Sequence, residues 1–285
     1  MSISWAEGAD SDGTALFVDT AWLEAHLEDD TLRIIQVGGD TIYPRVHIPG
    51  AVLLPMMAIL TQREGVPGML ADAGSLTQLF GDLGITPQTH VVAYDPTGGL
   101  DASRLVWTLA QMGHQRASVL DGGLGAWYEE QRPMSPEVPR ITPVTFEAAP
   151  TQASYADMAH VQAIAEEEKA AYLVDTRGEN EYLGRTLRGP RGHIPGAVHV
   201  DWSASLLGPR DPKLKEFAEL KALYAQVGVT DLSKPVVVYC QTAHRASQSW
   251  VLLRAMGFQD VRLYDGSMSE WGLRGMPVVS GGSPR

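Results

Sequence analysis

The 285-residue sequence contains an internal repeat, in which similar segments recur at an offset of 144 to 146 residues. Residues 47–52 read HIPGAV and recur as HIPGAV at residues 193–198. Residues 91–94 (VVAY) correspond in nearly the same register to residues 236–239 (VVVY). Self-similarity at a fixed offset indicates two copies of one structural unit, and each copy is long enough to bury its own hydrophobic core.

The two copies are joined by a stretch rich in proline. Repeated prolines interrupt regular secondary structure, so residues 134–152 are expected to form a semi-rigid linker. The predicted domains therefore cover residues 1–133 and residues 153–285.

Within the second copy, the apolar pattern alternates between strands and helices. Strands are expected at residues 171–175, 197–200 and 236–239, and helices at residues 215–227 and 246–257. The segment 236–239 is apolar at every position, as expected of a strand covered on both faces of a parallel sheet. The alternation predicts an α/β fold of two tandem domains, each with a mainly parallel sheet flanked by helices.

Composition excludes several classes of protein. The 22 Lys and Arg residues against 34 Asp and Glu residues give a formal net charge of -12, which repels nucleic acid and anionic lipid surfaces. The apolar residues are scattered, and no run is long enough to span a membrane. Residues 1–13 lack the basic start and apolar centre of a secretory signal. The expected partners therefore include neither nucleic acid nor a membrane, and the expected location is the cytoplasm.

The sequence has one cysteine, Cys240, so it can form neither an intrachain disulfide nor a four-thiolate zinc site. Residues that both copies share are best explained by folding, so residues found in only one copy are candidates for function. The first copy has Asp95 in the place of Cys240 and Asp101 in the place of Arg245. The second copy alone therefore carries a potential nucleophile together with a cation.

Position favours a reactive role for Cys240. Ligands of open α/β sheets bind at the carboxyl ends of the strands, and Cys240 ends a predicted strand. The residues that follow lead into a helix, whose first N–H groups and dipole favour an anion, and thiolates are stabilised beside cations such as Arg245 and His244. The alternative, a buried and inert cysteine, is the commoner fate of cysteines in general.

The tandem copies, the HIPGA motif and a cysteine after an apolar strand of the second copy resemble the two-domain rhodanese-type sulfurtransferases. Residues 240–245 read CQTAHR and are similar to the CQTxHR loop of bacterial thiosulfate sulfurtransferases. They differ from the CRKGVT loop of the mitochondrial thiosulfate enzyme and from the CGSGVT loop of mercaptopyruvate sulfurtransferases. The resemblance implies that Cys240 takes a sulfane sulfur from thiosulfate, holds it as a persulfide and passes it to a thiophilic acceptor such as cyanide. It also implies that the first domain is inactive and the second catalytic.

The roles of the loop residues follow from this chemistry. The backbone N–H groups of Gln241, Thr242, Ala243, His244 and Arg245 are expected to form a nest for the outer sulfur of the persulfide. Arg245 and His244 are also expected to attract and orient a small anionic donor. No metal ion and no organic cofactor are needed. A protein acceptor of the sulfur is an alternative to a small one.

Further charged residues specific to the second copy lie upstream of the loop. Asp175 and Arg177 are expected at the end of a strand, where an interaction between them would brace the loop. A basic run follows, and it is expected to form either a rim that attracts anions or a solvated loop; its members are Arg185, Arg188 and Arg191. Glu181 stands where the mitochondrial-type enzymes carry a substrate-binding arginine.

Three other functions compete with a thiosulfate sulfurtransferase. A mercaptopyruvate sulfurtransferase is disfavoured because its small neutral loop is absent. A phosphatase is disfavoured because the related cell-cycle phosphatases need five residues between cysteine and arginine, whereas Cys240 and Arg245 are separated by four. A persulfide carrier would use the same cysteine but would deliver sulfur only to a protein partner.

Overall fold

The computed structural model describes residues 14–187 and 189–285. The expectations for residues 1–13 and for Arg188 fall outside the described residues. The strands in the described part are β1 (Phe17–Val18), β2 (Leu32–Val37), β3 (Val52–Leu54), β4 (Leu60–Arg63), β5 (Val66–Leu70), β6 (His90–Tyr94), β7 (Ala117–Leu120), β8 (Tyr155–Ala156), β9 (Tyr172–Asp175), β10 (Val198–His199), β11 (Leu206–Gly208), β12 (Asp211–Leu214), β13 (Val236–Tyr239) and β14 (Val261–Tyr264). The α-helices there are α1 (Thr20–Ala25), α2 (Ala73–Asp82), α3 (Leu100–Gln111), α4 (Gly123–Glu129), α5 (Met158–Ala165), α6 (Glu179–Tyr182), α7 (Phe217–Ala225), α8 (His244–Ala255) and α9 (Ser267–Leu273). Among these helices, none combines the length and the apolar character needed to cross a bilayer.

The chain folds into two compact units, each drawn from both halves of the sequence. Unit 1 comprises the chain up to Leu60 together with Ala71–Thr151 and Leu206–Leu214. Unit 2 comprises Thr61–Leu70, Gln152–Ser205 and Lys215–Arg285. The repeat does not indicate this exchange of short segments, because it compares contiguous stretches of chain. The domain boundaries inferred from the prolines stay predictions.

The two units have the same sheet topology. The five strands of unit 1 lie in the order β1-β7-β6-β2-β3, and those of unit 2 in the order β8-β14-β13-β9-β10. Neighbouring strands in both sheets are parallel. The predicted α/β fold of two tandem domains with parallel sheets is therefore confirmed. The central strands β6 and β13 carry the repeated VVAY and VVVY segments. Both strands are almost entirely apolar because a strand in the middle of a parallel sheet is covered on both faces.

The predicted elements of unit 2 are present, with small differences at their ends. The strand expected at 236–239 is β13, and the helix expected over 215–227 is shorter, as α7. The helix expected to begin at 246 begins two residues earlier, as α8. It begins earlier because the loop before it turns sharply at Ala243 and leaves no further connecting residues.

The repeated HIPGA motif is fixed to the end of the central strand in both units. The backbone N–H of Ile194 donates to the hydroxyl oxygen of Tyr239 at 3.1 Å, and the N–H of Ile48 donates to that of Tyr94 at the same distance. The motif histidines are fully buried. These contacts give the shared residues a structural role, and they fix the strand end that precedes Cys240.

Candidate active site

Cys240 lies directly after β13, and the connection 240–243 leads into α8. The residue is 1% exposed. The connection is closed by Ala243, whose φ of +60° lies in the left-handed region, whereas the residue at the same place before α3 is Gly99. A left-handed conformation costs a residue with a side chain about 1–2 kcal/mol relative to glycine. The turn that places the cysteine in front of α8 is therefore strained.

The first turn of α8 provides the electrostatic environment of this connection. The first backbone hydrogen bond of the helix joins the N–H of Ser247 to the carbonyl of Ala243 at 3.0 Å. The N–H groups of residues 244–246 therefore have no acceptor within the helix. Together with the helix dipole they favour a negative charge in front of the helix.

Unit 1 carries a carboxyl group at the corresponding place. Asp95 follows β6 as Cys240 follows β13, and its carboxylate is fully buried. The carboxylate accepts hydrogen bonds from the N–H groups of Thr97, Gly99 and Ala102 at 2.6, 3.0 and 2.9 Å, and from the Thr97 hydroxyl at 2.9 Å. Burial raises the pKa of Asp95, and the N–H donors act in the opposite direction. The connection before α3 therefore surrounds the carboxyl group of Asp95 with hydrogen-bond donors.

Ser267 supports the Cys240 connection from the start of α9. Its hydroxyl oxygen accepts hydrogen bonds from the N–H groups of Cys240 at 3.2 Å and Ala243 at 3.0 Å, and the hydroxyl donates to the carbonyl of Tyr264 at 2.8 Å. The N–H of Met268 also donates to the carbonyl of Cys240 at 3.1 Å. Ser267 is not among the predicted site residues, although the two copies differ at this position, where the first copy has Gly123.

The segment Thr61–Leu70 of unit 2 packs against the same connection. A Cβ atom added to Gly68 would lie 3.1 Å from Cβ of Thr242, so the backbone of the segment reaches the loop at a point where a larger residue would crowd it. The N–H of Leu70 donates to the carboxylate of Asp265 at 2.8 Å. Asp265 thus fixes this segment beside the loop.

Arg245 forms a two-pronged ion pair with Glu181 of α6. Nη1 of the guanidinium lies 2.6 Å from Oε2 of Glu181, and Nη2 lies 3.0 Å from Oε1. Burial disfavours the charge of Glu181, but the Arg245 guanidinium outweighs this effect and holds the pKa of the carboxyl below its usual range. Burial also acts to lower the pKa of Arg245, yet Glu181 and the adjacent Cys240 raise it above its usual value.

This ion pair restricts the role that the sequence predicts for Arg245. The sequence predicts Arg245 as a cation available to a donor, and it does not indicate that Glu181 is its partner. In the structure, the terminal nitrogens of the guanidinium are already engaged by a carboxylate. A donor anion would have to share or displace that contact.

Asp175 and Arg177 form a second ion pair, and it is fully buried. Nε of Arg177 lies 3.0 Å from Oδ1 of Asp175, and Nη2 lies 2.6 Å from Oδ2. Nη2 also donates to the carbonyl of Gly192 at 2.7 Å. The pair thus ties the end of β9 to the loop that precedes the HIPGA motif, and Arg177 is not available to solvent.

The remaining predicted site residues lie in two places. Within the connection and α8, the Gln241 amide donates to the hydroxyl of Ser269 at 3.1 Å, and His244 is the half-buried first residue of the helix. Arg185 lies on the exposed loop after α6, and its side chain makes no hydrogen bond or ion pair within the described residues. The same loop approaches the connection at Gly189, where an added Cβ atom would lie 3.5 Å from the Gln241 amide oxygen. The structure therefore brings the loop residues together, whereas no hydrogen bond or ion pair connects the Arg185 side chain to them within the described residues.

The arrangement is suited to covalent chemistry at sulfur. It combines a cysteine, a helix N-terminus that favours an anion, and an arginine beside the thiol. In residues 14–187 and 189–285, no group of three or more His, Cys, Asp or Glu side chains is arranged to hold a metal ion.

Comparisons with known proteins agree with this chemistry. The family model described as "Rhodanese-like domain" matches residues 19–130 and 157–274. The chain is 35% identical over 284 residues to the sulfur carrier protein TtuD of Thermus thermophilus, with 93% of this chain and 97% of that protein covered. It is 33% identical to the thiosulfate sulfurtransferase of Azotobacter vinelandii, with 90% and 94% covered.

Among solved structures, SseA from Escherichia coli, described in a study of 3-mercaptopyruvate sulfotransferases, superimposes with a TM-score of 0.79 and 27% identity. That match covers 88% of this chain and 98% of SseA. The two regions matched by the family model span most of the chain. The two relatives above are also covered over nearly their full length. The chain belongs to the rhodanese family of sulfurtransferases.

Proposed function

We propose that the protein is a thiosulfate sulfurtransferase that works through a persulfide on Cys240. The Cys240 thiolate attacks the outer sulfur of thiosulfate; a bond from Sγ to that sulfur forms, the sulfur–sulfur bond of the donor breaks, and its electron pair leaves with sulfite. A thiophilic acceptor such as cyanide then attacks the outer sulfur of the persulfide. The bond to Sγ breaks, thiocyanate leaves, and the thiolate is restored. Neither step consumes a proton, an external electron or a cofactor.

The observation that carries this proposal is the position of Cys240 in front of the first turn of α8, where the counterpart before α3 holds a carboxyl group surrounded by hydrogen-bond donors. In unit 1, backbone N–H groups of the loop and of the first turn of α3 bind the Asp95 carboxylate. In unit 2, the first turn of α8 faces a cysteine. A persulfide is an anion that extends one atom beyond Sγ, and such N–H groups stabilise it as they stabilise a carboxylate.

Unit 1 has a structural role in this proposal. Asp95 cannot carry a sulfur atom, and its carboxylate already occupies the N–H groups of its own loop. Asp101, in the first turn of α3, adds negative charge where Arg245 supplies positive charge in α8. The sulfur donor and acceptor are therefore expected to act at unit 2 only.

Two alternatives keep the same persulfide. A sulfur carrier that delivers only to a protein is favoured by the 35% identity to a protein of that name. A mercaptopyruvate donor is suggested by the similarity to SseA. Sustained turnover with a small acceptor separates an enzyme from a carrier, and comparison of the two donors identifies the preferred one.

The test is steady-state formation of thiocyanate from thiosulfate and cyanide. Cys240→Ser is expected to abolish it, whereas Asp95→Asn, the matched change in unit 1, is expected to retain it because the amide oxygen still accepts hydrogen bonds. Substantial turnover by Cys240→Ser, or an equal loss in both variants, contradicts the proposal. A single turnover without sustained activity favours the carrier.

A further inference from the structure

The ion pair between Glu181 and Arg245 is held from both sides. The backbone N–H of Gly178 donates to Oε2 of Glu181 at 3.2 Å, so the start of α6 fixes the carboxylate. Arg245 is held by its place in the first turn of α8, next to the Cys240 connection. The side chains are 25% exposed for Arg245 and 28% exposed for Glu181, so a small anion from solvent can reach them.

The charges around the connection are balanced by this pair. Arg177 is matched by Asp175 and is buried, so it offers no charge to a ligand. Arg245 lies beside the thiol, but its two terminal nitrogens face the carboxylate oxygens of Glu181. The oxygens of a donor and those of Glu181 therefore compete for the same two guanidinium nitrogens, since a guanidinium binds a carboxylate or a sulfonate-like group through two parallel hydrogen bonds. In unit 1, Ile42 precedes Tyr43 as Glu181 precedes Tyr182, so this acidic group is specific to the unit that carries the cysteine.

We propose, on the basis of the function proposed above, that Glu181 tunes donor selection: it pairs with Arg245 and offsets its positive charge, so it lowers the advantage of dianionic thiosulfate over singly charged sulfane-sulfur donors of the thiosulfonate type. Glu181 is a specificity-determining residue in this account. It does not take part in bond making.

A pair of donors isolates the effect of charge. Methanethiosulfonate differs from thiosulfate in having a methyl group in place of one anionic oxygen, and it transfers the same outer sulfur. The Cys240 thiolate attacks that sulfur, the sulfur–sulfur bond breaks, and its electron pair leaves with methanesulfinate. The persulfide and the second half of the cycle are identical for both donors.

The experiment measures the ratio of kcat/KM for thiosulfate to kcat/KM for methanethiosulfonate. Glu181→Gln keeps an oxygen that accepts from Arg245 but removes the charge, and it should raise the ratio roughly threefold to tenfold, as expected for one unit charge at about 6 Å in an effective dielectric constant between about 40 and 80. Glu179→Gln, an exposed change of the same charge in the same helix, should leave the ratio unchanged. Arg245→Gln leaves Glu181 uncompensated and should lower the ratio. The double variant should return it close to the wild-type value.

The outcomes are decisive in either direction. A ratio that rises in Glu181→Gln and falls in Arg245→Gln supports the proposal. A ratio that stays constant while both donors lose activity in Glu181→Gln overturns it and leaves Glu181 a positioning residue for Arg245. If Glu181→Gln does not fold, Arg245→Gln alone decides, because an unchanged or higher ratio in that variant contradicts the proposal. Failure of wild-type protein to form a persulfide with either donor refutes the proposed function instead.

Discussion

Replacing Ser267 with alanine removes the hydroxyl that accepts hydrogen bonds from both ends of the Cys240 connection. The N–H groups of Cys240 and Ala243 are buried, and their contacts to Ser267 measure 3.2 and 3.0 Å. A buried N–H without a partner costs about 1–3 kcal/mol, so the two together lower the free energy of unfolding by about 2–6 kcal/mol. Turnover should fall as well, because the same hydrogen bonds position Cys240 in front of α8.

A glycine at this position separates the hydroxyl from the backbone. Ser267 has a φ of +49°, which alanine tolerates as poorly as serine. Ser267→Gly loses the same hydrogen bonds but relieves about 1 kcal/mol of strain, so it should be less destabilised than Ser267→Ala by about that amount. A higher stability of Ser267→Gly than of Ser267→Ala would be informative, because glycine is ordinarily the more destabilising of the two residues.

The assay is urea unfolding followed by tryptophan fluorescence, with Ser233→Ala as the control. Ser233 is exposed and donates to Asp231 at 2.7 Å, so its loss should cost little. If the free energies of unfolding of Ser267→Ala and Ser233→Ala differ by less than about 0.5 kcal/mol, the Ser267 hydroxyl does not support the connection and the prediction is wrong.

Three further predictions concern strain, a buried charge and a raised pKa. Ala243→Gly should raise the free energy of unfolding by about 1 kcal/mol in the same assay, since its φ of +60° suits glycine; a decrease would show that the turn is unstrained. Arg177→Met leaves the Asp175 carboxylate buried without its partner and should cost about 3–5 kcal/mol, and a cost below about 1 kcal/mol would contradict the role assigned to this pair. Burial raises the pKa of Asp121 to about 7, although the N–H of Leu214 acts in the opposite direction. The folded state therefore retains a proton that the unfolded state loses from about pH 4 upward, and stability should fall by at most about 1.4 kcal/mol per pH unit as the pH rises to 7. Asp121→Asn should remove this slope, whereas an identical slope in the variant would locate the titration elsewhere.

Much of the fold could be predicted because hydrophobic patterning is local. The four apolar residues of β13 identify a central strand without knowledge of the rest of the chain. The same pattern in β6 allows the two copies to be compared. That comparison singles out Cys240, since a fold shared by both units does not require a cysteine at the end of one strand.

The rest of the site depends on contacts between distant parts of the chain. Glu181 and Arg245 are separated by 64 positions, and no local pattern shows that α6 places its carboxylate against α8. The segment Thr61–Leu70 belongs to unit 2 although it lies in the first half of the sequence. A repeat of contiguous segments cannot indicate such an exchange. Ser267 is different, because its replacement by glycine in the first copy was visible in the sequence.

The most direct test of the account is the intact mass of the protein after treatment with thiosulfate and then with cyanide. Wild-type protein should gain the mass of one sulfur atom with thiosulfate and lose it with cyanide, and Cys240→Ser should gain none. A gain of sulfur by Cys240→Ser, or a wild-type mass that thiosulfate leaves unchanged, would contradict the claim that Cys240 carries the transferred sulfur.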